Sequence, residues 1–375
     1  MKEVIKSFIP PVVSKIRGKY LANKNLYTNE KFVNWWNAYK PTSNLDEDLK
    51  YIIDCFVESS AFGGMSKYWN YLNKKNIEQI NDSGFENFKQ TVATNYYTWI
   101  DGIKGVMGAN FLKDSDKYKF EVPIHEIIKK HQYLSIEESI LFNTMTVLLY
   151  NYVKDKFPEL IRSCYEKNTG NPLTISIDGH QISQDILSSA IEYSSVMGGL
   201  VTNPNVILEL GAGSGRTAEF FLRRSSSVKY IVCDIAPALY MSQRYLAELF
   251  EERKIFKFQN FTSFEDVEQS IDESDIVFIM PHQLKLLPSK YCDLFMAIDC
   301  LHEMKEEQIS TYMQIANELS KVFYFKAWKS TEVPFDKIKL DESKYKPLLT
   351  WKEIFKKDCY VPADFFEAMY EMDNT

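Results

Sequence analysis

No stretch of these 375 residues is apolar enough to cross a bilayer. A helical span needs about 20 apolar residues, and the longest candidate, 140–153, is broken by Asn143, Thr144, Thr146 and Asn151. A basic excess is also missing. The 44 Lys and Arg are outnumbered by 51 Asp and Glu, for a net charge of −7. This excludes a general nucleic-acid binder, whose affinity comes from neutralising phosphates. The six cysteines (Cys55, Cys164, Cys233, Cys292, Cys300, Cys359) contain no C-x-x-C pair. They read as reduced thiols of a cytoplasmic protein, not as a disulfide or zinc framework. No H-E-x-x-H spacing appears, so no metal is expected. Internal repeats and low-complexity tracts are absent. The start, MKEVIKSFIPPVVSKIRGKY, has no long apolar core and no small-residue cleavage site, so it is not expected to be a signal peptide. Its basic residues alternate with Ile5, Phe8, Ile9, Val12, Val13 and Ile16. Residues 1–20 therefore either pack as an ordinary terminus or make peripheral contact with the anionic inner face of a membrane.

What is present suits a globular chain with real cores, 45% hydrophobic and long enough for two domains. Residues 1–165 read as helical. Asp46 and Glu47 lead into the periodic Tyr51, Ile52, Cys55 and Phe56, and Ser135 with Glu138 forms a capping box for a helix through Val153. A turn cluster at 168–172 changes the texture. Residues 166–200 read as a linker, with a strand at 173–177, a hairpin signal at Asp178-Gly179 and a helix at 183–196. From 201 to 375, strands at 206–210, 229–234, 275–280, 293–298 and 321–326 alternate with helices that include 237–253 and 305–320. The alternation predicts an α/β fold with a mostly parallel, doubly wound sheet. Ligands of such sheets lie beyond the carboxyl ends of the strands. The functional candidates are therefore 211–216, 234–235, 281–283, 299–303 and 326–328.

The first of these ends carries the most specific signal. Val206-Ile207-Leu208-Glu209-Leu210 runs into Gly211-Ala212-Gly213-Ser214-Gly215-Arg216. A dinucleotide fingerprint needs G-x-G-x-x-G. Here the third glycine falls at 215 and Arg216 takes its place, giving E-x-G-x-G-x-G. That pattern resembles the first motif of class I S-adenosylmethionine (SAM) methyltransferases, although a tight turn without a ligand would use glycines too. Asp234 lies 21 positions past Gly213 at the end of the next strand, where an acid binds ribose hydroxyls in open parallel sheets. The alternative is a cap for the helix that starts at Ile235-Ala236-Pro237. His282 and Gln283, at the third strand end, can meet an adenine edge or simply form a turn.

The fourth strand end, Asp299-Cys300-Leu301-His302-Glu303-Met304, is the most chemically loaded. Methyl transfer to a hydroxyl is an in-line displacement that needs alignment and a place for the proton. A neutral imidazole can take that proton near pH 7, typically worth about 10²–10⁴-fold. His302 is the candidate base, with Glu303 or Asp299 orienting it. The alternative has Asp299 capping the next helix, Glu303 at its positive end and His302 exposed. At the fifth end, Lys326 can pair with an acidic group of a substrate and Trp328 can stack on a sugar face.

These elements together resemble the bacterial sugar O-methyltransferase family found among surface-polysaccharide genes. The resemblance runs through Lys67-Tyr68-Trp69-Asn70-Tyr71-Leu72, Ile177-Asp178-Gly179, Ile182-Ser183-Gln184-Asp185, the glycine loop and Leu301-His302-Glu303-Met304. Cys300 departs from the pattern. The resemblance implies a class I methyltransferase fold behind a helical N-terminal region that shapes the acceptor site. It implies SAM held by Glu209, Gly211, Gly213, Gly215, Asp234 and Ile235, and Gln184 on the acceptor side. It also implies a carbohydrate acceptor, whether free, nucleotide-linked or lipid-linked. The sequence leaves open a different small-molecule acceptor and a non-catalytic SAM-binding partner of a glycan assembly complex. The oligomeric state is not legible.

Overall fold

The computed structural model describes residues 27–96, 110, 122–333 and 335–372, so the segment 1–20, read as either an ordinary terminus or a peripheral membrane contact, lies outside the described residues. Four helices open the described chain: α1 (Asn29–Tyr39), α2 (Glu47–Glu58), α3 (Ser60–Gly64) and α4 (Lys67–Ser83). Thr28, Asp46 and Ser66 cap the three longer ones by accepting from an early backbone N–H, which satisfies donors the first turn leaves unpaired. In α2 the buried Leu49, Ile52, Ile53 and Phe56 recur at the spacing of one helix face. α5 (Ile136–Lys156) opens on the expected capping box, with Ser135 and Glu138 bonded reciprocally. The hairpin of β1 (Ile175–Ile177) and β2 (His180–Ile182) follows, and then α6 (Gln184–Gly199), capped by Ser183.

The alternating half is built from β3 (Val206–Leu210), α7 (Arg216–Arg224), β4 (Lys229–Cys233), α8 (Ala238–Leu249), β5 (Ile255–Phe256), β6 (Ile276–Ile279), β7 (Cys292–Ile298), α9 (Glu306–Leu319) and β8 (Ser320–Trp328). A small hairpin of β9 (Ser330–Val333) and β10 (Ile338–Asp341) precedes β11 (Lys352–Asp358) and β12 (Phe365–Glu371). The sheet order is β11-β12-β8-β7-β3-β4-β6-β5. The strands from β8 to β5 are parallel, while β12 runs antiparallel to both of its neighbours. From β3 the chain moves outward through β4 to β6 and then returns to the other side of β3 as β7. This reversal opens a crevice at the carboxyl ends of β3 and β7.

The five expected strands are present. β11 and β12 were not anticipated. β11 is an exposed edge strand rich in Lys and Glu, and charge of that kind protects an edge from further pairing while hiding the strand from a hydrophobicity reading. Leu301–Glu303 forms a single 3₁₀ turn and α9 begins at Glu306 with Lys305 as its N-cap, so Asp299 does not cap that helix.

Two apolar layers flank the sheet. One joins Trp36, Ile52 and Phe56 of the first helices to Tyr230, Leu246 and Phe278 of the sheet and α8. The other gathers Leu208, Phe295, Ile309 and Phe323. Among the described residues no helix is long and apolar enough to cross a membrane.

Candidate active site

The crevice between β3 and β7 holds the glycine turn. Gly211, at φ +71°, donates its N–H to the Cys233 carbonyl at 2.8 Å. A methyl group on it would lie 2.5 Å from the Cys300 Cβ, so glycine is what lets the two strand ends approach. Gly213, at φ +59°, differs, because a methyl group there would meet nothing within 4 Å. Gly215 forms the left-handed N-cap of α7. The backbone thus turns tightly below and leaves open space above, which is the surface a ligand needs in order to approach a main chain.

Asp234 ties the turn to the end of β4. Its Oδ2 accepts the Gly213 N–H at 2.6 Å and its Oδ1 accepts the Ile235 N–H at 2.7 Å. Burial pushes its carboxyl up to about 7 despite both bonds. Each oxygen retains a lone pair for a ligand hydroxyl.

Leu210, Gly211, Asp234, Ile235, Pro281 and Cys300 form the floor of a cavity of about 60 Å³. Glu303, Met304, Gln308 and Tyr312 close one side, while Ala61, Met65, Ser66 and Trp69 of the helical region close the other. The Glu303 carboxyl is bonded to the Trp69 side chain. Burial, with Asp299 and Asp234 nearby, holds it well above the usual carboxylate range.

His302 does not share this cavity. Successive residues of a 3₁₀ turn point about 120° apart, and the turn that aims Glu303 inward sends His302 toward the ends of β8 and β12. There its ring stands edge-on to Phe365 and Trp328, at centroid distances of 5.7 and 6.3 Å. Burial, then the Lys326 charge, lowers it to about 3. Its neutral ring is a weak base in that setting. Asp299 sits in the left-handed region at φ +57°, which Asp tolerates better than most residues. Its carboxylate turns toward Lys326 at 3.3 Å and Arg216 at 3.4 Å.

Arg216 and Lys326 belong to a buried ionic cluster. Arg216 forks onto Glu192 at 2.6 and 3.0 Å, and Lys326 reaches the same carboxylate at 2.8 Å. The two cations hold the Glu192 carboxyl down to about 2 against its burial. In the sequence Arg216 marked only a departure from the dinucleotide fingerprint. The family resemblance draws attention to its partner Glu192, with Asp185, as facing the SAM or acceptor side, and it runs through Trp69; Met65 carries no local signal, because its role depends on which helix packs where.

Other expected contacts are corrected by the geometry. Glu209 does not face the cavity; it accepts from the Tyr230 hydroxyl at 2.7 Å inside the sheet, and burial pushes it to about 7. Gln283 is fully buried and committed, accepting from the Met280 N–H and donating to the Gln259 carbonyl, both at 2.9 Å, so it braces its turn. His282 lies near Asn260 at 3.3 Å and Pro281 lines the cavity in its stead. Gln184 is also fully buried and donates to the Phe142 carbonyl at 2.8 Å, pinning α6 to α5. Lys326 is engaged by Glu192 and Asp299, and Trp328 packs on Phe365 at 4.4 Å. Among the described residues no group of three His, Cys, Asp or Glu could hold a metal ion.

No family model and no curated protein matches the sequence. Solved structures match over about half of it. The PH0226 protein of Pyrococcus horikoshii is 12% identical over 51% of this chain and 92% of its own, with a TM-score of 0.37. Burkholderia thailandensis 1,6-didemethyltoxoflavin-N1-methyltransferase, solved with its substrate and S-adenosylhomocysteine, is 15% identical over 51% and 79%, with a TM-score of 0.36. Mitomycin 7-O-methyltransferase MmcR is 10% identical over 60% of each chain, with a TM-score of 0.32. Likenesses this distant carry no functional weight. The sheet order, with its switch at β3 and its antiparallel β12, is that of a Rossmann-like class I methyltransferase fold preceded by helices.

Proposed function

We propose that the protein is a SAM-dependent O-methyltransferase acting on a sugar hydroxyl of a surface polysaccharide or its precursor, on the cytoplasmic side of the cell. One observation carries the reading: a glycine turn, a strand-end acid and a second carboxyl converge on one cavity at the switch point of a parallel sheet. Gly211, Gly213 and Gly215 shape the turn, and Asp234 has lone pairs to spare for ribose hydroxyls. Ile235 and Pro281 give the base an apolar floor. When bound, SAM supplies an electrophilic methyl group on a sulfonium.

Glu303 is the proton acceptor in this reading, in place of His302. A carboxyl held above its usual range is a stronger base once ionised, and it lines the cavity. His302 positions the turn from behind. The sugar acceptor rests on the sequence resemblance.

Calorimetry with S-adenosylhomocysteine and the intact chain is the first test. Binding is expected, and Asp234→Ala is expected to weaken it at least tenfold. Absence of binding by the parent chain removes the reading. Glu303→Gln is expected to keep that affinity and to lose about 10²–10⁴-fold in turnover. The acceptor is read by mass spectrometry of cell-surface glycan with and without the gene, as a loss of one CH₂.

A further inference from the structure

The two walls of the cavity meet in a polar contact. Trp69 lines it from the helical region and Glu303 from the strand ends, and the Trp69 side chain hydrogen-bonds the Glu303 carboxyl. An indole N–H donates and has no lone pair to offer in return. It serves a carboxylate better than an acid, and so favours the ionised form. A hydroxyl in the same place could accept the acid's proton and favour the neutral form instead.

The other surroundings of Glu303 act in the opposite direction. Asp299 and Cys300 at the end of β7 and Asp234 at the end of β4 lie near it, and Tyr312 of α9 shares its cavity. Burial and the two aspartates favour the neutral acid. Burial also pushes the Cys300 thiol and the Tyr312 hydroxyl up, so neither supplies charge. The cations of the neighbouring cluster, Arg216 and Lys326, are already engaged by Glu192 and Asp299. Among the described residues, the group that favours an ionised Glu303 is therefore the Trp69 indole.

The fold holds that indole from both sides. Ser66 accepts the Trp69 backbone N–H at 3.3 Å. The preceding Lys67 donates its N–H to the Asp336 carboxylate, at the tip of the β9–β10 hairpin, at 2.8 Å. The following Asn70 is buried and donates to the Asn29 side-chain oxygen at 2.7 Å and to the Tyr27 carbonyl at 3.1 Å. The start of α4 is thus fixed to α1 and to the hairpin, which gives the donor a set direction.

We propose that Trp69 is the positioning residue for Glu303: its indole N–H holds one carboxyl oxygen and leaves the other to take the acceptor's proton. The assignment rests on the methyl-transfer reading above and extends its site into the helical region, which would supply the group that makes the base available.

NMR on the ligand-free full chain tests it, with glutamate labelled at ¹³Cδ and tryptophan labelled with ¹⁵N. The Glu303 signal is the one lost in Glu303→Gln. Its titration midpoint is expected to rise by about one pH unit in Trp69→Phe, a move that a merely structural role of Trp69 would not produce. In the parent, one of the six tryptophan side-chain N–H signals is expected to titrate together with Glu303 and to stop doing so in Glu303→Gln. That comparison leaves Trp69 in place and carries the test if the phenylalanine variant fails to fold. The assignment is overturned by an unchanged or lowered midpoint in Trp69→Phe, by a parent in which no indole signal follows Glu303, or by a Glu303 that does not ionise before the chain unfolds. Neither measurement uses SAM. A chain that binds S-adenosylhomocysteine but fails here keeps the methyl-transfer reading and loses the role of Trp69. A chain that shows the linked titration but does not bind S-adenosylhomocysteine loses that reading and keeps the pair.

Discussion

Two groups of buried carboxyls lie close to each other in this molecule, and burial acts on them in opposite ways. Glu192 is fully enclosed yet held at about 2. Asp234 and Glu209 are just as enclosed and are pushed to about 7. The difference is the partner. Glu192 faces two cations, whereas Asp234 has only two backbone N–H groups and Glu209 a tyrosine hydroxyl. Neutral donors do not offset the desolvation of a full charge, and cations do. Glu192 is therefore built to stay charged and fixed, and Asp234 in the cavity beside it lies near the point of changing protonation. This division suits a scaffold next to a reacting centre.

The largest expected effect comes from breaking the charged side. Arg216→Met leaves Glu192 and Asp299 with Lys326 alone, and is expected to cost about 3–5 kcal/mol in urea unfolding. A loss below about 1 kcal/mol would mean that the cluster adds little to the fold. Next comes the turn between the two groups. Gly211→Ala combines left-handed strain with a clash against Cys300 and is expected to cost about 2–4 kcal/mol. Gly213→Ala has the strain without the clash and should cost about 1–2 kcal/mol. Equal costs for the two would contradict the close approach of β3 to β7.

A smaller effect is read in pH. In the unfolded chain Asp234 and Glu209 release their protons near pH 4, roughly as model peptides do, while the fold retains them to about 7. The folded state binds more protons in that window, so their contribution to stability falls as pH rises from about 4 to about 7. Glu192 has the opposite sign, adding stability above its unfolded value that is lost as pH falls toward 2. Glu209→Gln is expected to flatten the fall in melting temperature between pH 5 and 7.5; an unchanged slope would show that Glu209 is ionised in the fold. The smallest effect belongs to Glu303→Gln. Replacing the carboxyl by an amide of the same shape that can still accept from Trp69 should shift stability at pH 7 by less than about 1 kcal/mol, which separates any loss of turnover from loss of fold.

The legible parts were those whose signal is local. The turn from Glu209 to Arg216 and the acid at 234 announce themselves, since glycine at positive φ and an acid at a strand end follow from short-range geometry. The capping box at Ser135 and the hairpin at Asp178-Gly179 were legible for the same reason. What escaped was set by tertiary packing. The family resemblance through Trp69 implies that the helical region shapes the site, but no pattern around Met65 says that α3 and α4 in particular will wall the crevice. The sequence places His302 and Glu303 side by side, and a single 3₁₀ turn sends them to different sides. Gln184 and Gln283 read as polar ligand groups because a sequence does not show that a buried carbonyl already waits for each amide.

The cavity takes one wall from the helical region and its floor from the strand ends. Any molecule lodged there bridges parts of the polypeptide that are far apart in chain order. Occupancy would then act as a reversible cross-brace, raising the melting point of both parts together in proportion to the logarithm of ligand concentration.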